Sequence, residues 1–252
     1  MLKVRILPTL LYRDVELVKG EGFDSWRRIG SVMQSVKVYN LREVDELAFL
    51  DIAATRAGRS PDFALIDEIA DECFMPLTVG GGIRTIDDVR GLLKVGADKV
   101  AVNSAAVESP DLIRQIASRF GSQCVIVSID FRRGADGRAE AWTRSGTRAT
   151  AKDPVDLARQ AEKLGAGEIL LTSIERDGTL RGYDVETIRR VSEAVGIPVI
   201  ASGGCGSYEH MEAALRDGKA SAVAAAAMFH FTQQTPLEAK QFLKSRGFAV
   251  RL

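Results

Sequence analysis

The chain has 252 residues, 46% of them apolar and 27% charged, and its 34 basic and 34 acidic side chains give a formal net charge of zero. That length fits one α/β barrel or two ordinary domains, and the balanced charge argues against nucleic acid, which is bound through an excess of Lys and Arg. No apolar run reaches about 18 residues and the first ten residues lack the pattern of a signal peptide, so a membrane is not expected and a cytoplasmic enzyme is.

In chain order, short apolar runs at 4–7, 47–50, 77–79, 99–102, 125–129, 169–171, 199–201 and 222–225 alternate with helical patterns such as 63–73 and 185–195. Eight such runs are what a closed parallel barrel needs. The three cysteines, Cys73, Cys124 and Cys205, are too scattered for a disulfide framework or a metal cluster. No metal or cofactor is expected.

A shift of 122 residues lays Glu46 on Glu168, Ile52 on Ile174, Arg59 on Arg181, Asp62 on Asp184 and Pro76 on Pro198. Gly81 and Gly82 then fall on Gly203 and Gly204, Gly96 on Gly218, and Ala105 on Ala227. The expected fold is therefore a single (βα)8 TIM barrel over 1–252, built from duplicated (βα)4 halves at about 1–122 and 123–252.

In such a barrel the loops after the strands form the active rim. Glycines there let backbone N–H groups approach an anion, so Gly81 and Gly82 in one half and Ser202, Gly203 and Gly204 in the other suggest two phosphate cups. Asn103 and Ser104 would complete the first, Ala226 and Ala227 the second. A ligand with a phosphate at each end would fit. The rim acids are Asp51, Asp130 and Asp177, and Asp130, ending an apolar run, is the leading candidate for proton transfer. Neither His210 nor His230 follows a rim-facing strand end, so a histidine base is not expected. At the opposite face Arg5, Glu46, Lys99 and Glu168 begin strands, and if they turn inward they form a compensated ring that closes the barrel floor.

Stretches such as Pro76–Ile83, Gly96–Val100, Asn103–Val107, Gly165–Ser173, Arg176–Thr179, Ile200–Gly204 and Phe229–Phe231 resemble the cyclase subunit of imidazole glycerol phosphate synthase, over nearly the whole chain. The resemblance implies a barrel that receives ammonia from a glutaminase subunit docked one-to-one on its N-terminal face. The ammonia would pass the ring of Arg5, Glu46, Lys99 and Glu168 to a phosphorylated substrate at the far rim. It further implies that Asp98 lies at the glutaminase interface, that Lys19 belongs to a mobile first loop, and that Thr172, Asp177 and Gly178 join the second phosphate cup.

One departure stands out. The family's first strand carries a second catalytic aspartate, and position 11 here is Leu11, which cannot move a proton. The loop at 13–30 also carries Phe23, Trp26, Arg27 and Arg28, and the eighth cup has Ala227 in place of the family's serine. The leading expectation is a diverged relative that delivers ammonia to another phosphorylated or nucleotide-sugar acceptor, of the kind that becomes an amidino or amide sugar of surface polysaccharide. Two alternatives stay open: ordinary imidazole glycerol phosphate synthesis with the acid moved, for example to Asp14, and a non-catalytic ammonia conduit.

Overall fold

In a computed structural model, which describes residues 3–252, the eight apolar runs become the staves of one closed parallel barrel. Met1 and Leu2 of the expected domain lie outside the described residues. The strands are β1 (Arg5–Arg13), β2 (Glu16–Glu21), β3 (Asp24–Gly30), β4 (Leu47–Asp51), β5 (Leu77–Gly80), β6 (Lys99–Val102), β7 (Val125–Arg133), β8 (Ala139–Thr143), β9 (Arg148–Ala149), β10 (Glu168–Ser173), β11 (Val199–Ser202) and β12 (Ala222–Ala225). The barrel runs β1–β4–β5–β6–β7–β10–β11–β12, and β12 returns to pair with β1. All of these neighbours are parallel.

Side chains alternate along each stave, as the two-residue period of a strand requires. Ile6, Leu10, Phe49, Val79, Val127 and Ile129 point outward and pack under the helices, whereas Leu7, Ala101, Ile126, Leu170, Ile200, Ala222 and Ala224 fill the barrel interior. The helices start where the sequence supplies caps. Asp62 accepts from the Leu65 N–H and Asp184 from the Thr187 N–H, which explains why these two acids are repeat mates. The expected helices at 63–73 and 185–195 end slightly earlier, as Phe63–Glu72 and Val185–Ser192.

Two expectations need correction. The segment 13–30 is not a loop: β2 and β3 form an antiparallel hairpin that extends β1 beyond the rim, and β8 and β9 extend β7 in the same way. Pro8 and Thr9 interrupt the apolar pattern of β1, so a count of apolar residues stops at Leu7 while the strand runs on to Arg13. The repeat, too, is not gapless to its end. The positive φ of Gly96 (101°) recurs at Lys219 (56°), not at Gly218, and the helix Ser104–Glu108 corresponds to Ala227–Phe231. One extra residue before β12 thus makes Ser104 the mate of Ala227.

Candidate active site

The loops after the staves enclose a cleft with about 1110 Å³ of free space, including the part open to solvent. Gly81, Gly82, Gly203 and Gly204 all lie on its wall with φ of 107°, 73°, 87° and 105°. A Cβ on Gly81 would meet the Asp51 carbonyl oxygen at 2.2 Å, and one on Gly203 would meet that of Ser173 at 2.5 Å. Asp51 and Ser173 are repeat mates, so both turns are tight for the same reason. Beside them the short helices Ser104–Glu108 and Ala227–Phe231 begin at Asn103 and Ala226 with no side-chain cap, leaving their first N–H groups to the cleft. Thr172, Asp177, Gly178 and Ser202 line the same space.

Asp130 reaches the cleft from β7 and is buried. Burial first, and the charge of Asp177 second, push its carboxyl up to about 7, while a hydrogen bond with Ser128 pulls the other way. Its Oδ2 accepts from Asn103 Nδ2 at 3.3 Å. Such a group exchanges a proton readily near neutrality. It does not pair with Arg132, whose guanidinium stacks on Trp142 instead, 4.9 Å from the ring centre. Leu11 occupies the equivalent place on the opposite wall: Leu11 is level with Leu50, as Asp130 is with Thr172, and Leu50 and Thr172 are repeat mates.

Lys19 is almost fully buried, on β2, where its ammonium is ion-paired with Asp177. The hairpin that carries it is docked on the rim, with Lys19 paired beneath it. The Gly22 N–H donates to the Asp177 carbonyl at 2.8 Å, and Gly178 touches the Gly20 backbone so closely that no Cβ would fit. Phe23 and Trp26 line the cleft, Arg27 lies 4.2 Å over the Phe231 ring, and Arg28 pairs with Glu16 in solvent.

Other candidates are engaged in structure. Asp51 Oδ1 accepts from the N–H groups of Ala53 and Ala54, both at 2.9 Å, and Oδ2 faces Arg59 at 3.4 Å, which is the geometry of a turn cap. The Asn103 amide is tied to the carbonyls of Ser128 and Trp142, and the Ser104 hydroxyl accepts from the Arg144 N–H, so this cup offers chiefly backbone donors. His230 corrects the expectation for histidines, since its helix directly follows β12 at the rim; burial holds its pKa down at about 4, so it is neutral there. No group of three or more His, Cys, Asp and Glu side chains among the described residues could hold a metal ion.

At the other end of the barrel the four strand-start charges do turn inward. Arg5 donates to Glu46 at 2.7 Å and to Glu168 at 2.6 Å; Lys99 donates to Glu46 at 3.0 Å and to Glu168 at 2.7 Å. Thr78 adds a hydrogen bond to Glu46 at 2.8 Å. The ring alternates in sign and closes on itself. Asp98 is exposed on this face, with Oδ2 accepting from the Leu77 N–H.

Comparison with known families matches residues 5–235 to the family described as histidine biosynthesis protein. The chain belongs to that family. The match runs from Arg5 in the floor ring past Ala227 in the rim, so it spans both ends of the barrel. Members of this histidine biosynthesis family are enzymes of the isomerase and cyclase kind, and an enzyme is what this chain is at that level. Among the described residues no helix is long and apolar enough to cross a membrane.

Inspection for acids and glycines missed several residues of the cleft, two inward-facing hydroxyls among them. Thr9 and Ser128 line it directly below Leu11 and Asp130, on the same faces of β1 and β7. Stepping back two residues from each strand-end position, as the period of a strand dictates, would have found both.

Proposed function

We propose that this member of the histidine biosynthesis family is the ammonia-using synthase or lyase subunit of a glutamine amidotransferase complex. In this reading a glutaminase docks on the N-terminal face around Asp98, and ammonia enters past Arg5, Glu46, Lys99 and Glu168. It reaches a phosphorylated acceptor that spans the two glycine cups. Asp130 moves the proton at the reacting centre, and Lys19 and Asp177 hold the hairpin over it. The acceptor differs from the cyclase substrate and is a phosphorylated or nucleotide-linked sugar.

The observation that carries this reading is the wall facing Asp130. A pair of opposed carboxylates suits acid and base on two sides of one substrate, and here one side is Leu11. A single carboxyl poised near neutrality serves a simpler proton transfer, such as taking a proton from attacking ammonia. The relocated acid finds no support: Asp14 sits in the turn after β1, three-quarters exposed and facing Arg13. A mere conduit has no use for a buried carboxyl with a raised pKa between two anion cups.

The test is turnover of the cyclase's formimino nucleotide with ammonium salts. The native chain is expected to show none, and Leu11→Asp to raise it to a measurable rate. Asp130→Asn in that background should lower it by about 10²- to 10⁴-fold. Ready turnover by the native chain would make it an ordinary cyclase subunit.

A further inference from the structure

Thr9 has a buried hydroxyl with nothing to bond. Its side chain lines the cleft, the residue is 7% exposed, and its Oγ1 has no partner within the protein. Its repeat mate Ser128 differs in its neighbour, because the next side chain up the same face of the strand is the Asp130 carboxyl. In the first half the residue two further along is Leu11, which accepts nothing. With an apolar side chain at position 11, the hydroxyl below it has no partner on its own strand. Buried polar groups are nearly always satisfied, and one that is not, aimed into a cleft, points to a ligand atom.

The strand order locates that atom. The cups of Gly82 and Gly204 belong to β5 and β11, and β1 and β7 stand between them on opposite walls. A molecule reaching from cup to cup crosses between Leu11 and Asp130, above a level made by Thr9, Gly80, Ser128 and Ser202, all four of which line the cleft. Gly80 brings no side chain to that level, and the place a Cβ would take is already filled by Leu50 at 2.7 Å and the Ala101 carbonyl at 3.0 Å.

We propose that Thr9 is a specificity-determining residue, whose hydroxyl bonds an oxygen on the middle of the ligand spanning the two cups. The ligand class is then a doubly phosphorylated molecule whose central chain carries a hydroxyl or carbonyl oxygen beside an apolar flank that rests on Leu11. This inference rests on the two-cup reading above and narrows it.

The experiment is calorimetric titration of the full chain with two probes, ribulose 1,5-bisphosphate and pentane-1,5-diol bisphosphate, which lacks the central oxygens. The native chain should bind the ribulose compound more tightly, on the order of tenfold for one buried hydrogen bond. Thr9→Val, nearly isosteric, should erase that preference by weakening the ribulose compound alone, and Thr9→Ser should restore it. The unliganded melting temperature serves as a control for folding, and Thr9→Val should not lower it, since it removes an unmatched polar group. Equal binding of both probes by the native chain, or a preference that survives in Thr9→Val, overturns the role of Thr9 while leaving the two cups standing. Failure of both probes to bind the native chain removes the two-cup reading and this inference with it.

Discussion

Asp130 shows how one side chain reports its surroundings. Its carboxyl is raised from 3.8 to about 7 in the folded chain, so the folded state holds a proton that the unfolded state has already released at intermediate pH. Folded stability must then fall as pH rises from about 4 to about 7, and level off above. Asp130→Asn should be more stable than the native chain at pH 8, by up to about 4 kcal/mol, and no more stable near pH 3. Urea denaturation at the two pH values checks this, and an advantage that does not grow with pH would show that the carboxyl is not held protonated. The role of Asp130 as a candidate could be seen in the sequence, since it ends an apolar run. The burial of Lys19 could not, because a lysine is presumed solvated unless its partner is known, and Asp177 lies 158 residues away.

At the scale of elements, the two ribbons that prolong β1 and β7 build the upper walls of the cleft. The hairpin β2–β3 continues the β1 ladder, and beyond it is fastened by the Lys19–Asp177 pair, the bond from Gly22 and the Arg27–Phe231 contact. Lys19→Met leaves Asp177 buried without its cation, which costs about 3–5 kcal/mol when a buried pair is broken on one side. Native-state trypsin digestion should then cut at Arg27 or Arg28 much faster than in the native chain, with the barrel intact. Unchanged cleavage would mean that the pair does not hold the hairpin. These ribbons were not legible beforehand for a physical reason. The pattern of β3 is almost wholly exposed, so no apolar periodicity marks it, and its pairing follows from the strand beside it.

For the whole molecule, eight apolar runs and a half-length repeat were enough to read the barrel. Periodicity records burial, and a closed barrel buries every stave on both sides. The one-residue slip before β12 escaped because Gly218 happens to match Gly96 in identity while Lys219 takes over its conformation. The floor ring depends on all four charges at once. Bonds from Arg5 and Lys99 hold the Glu168 carboxyl below its ordinary value against the opposing effect of burial. Its contribution to stability is therefore complete above about pH 4.5 and is lost as the solution is acidified through its lowered pKa. Glu168→Gln should abolish that acid-sensitive part and leave Arg5 and Lys99 short of an anion, lowering stability by about 3–5 kcal/mol at neutral pH. Thermal melts across pH 3–7 read both effects. The opposition of Leu11 to Asp130 has a stereochemical outcome of its own. A guest seated between the two cups turns one flank to oil and the other to a carboxyl. Only the flank turned to Asp130 meets a group that can give or take a proton, so a hydrogen isotope drawn from solvent is expected to enter the guest from that side alone.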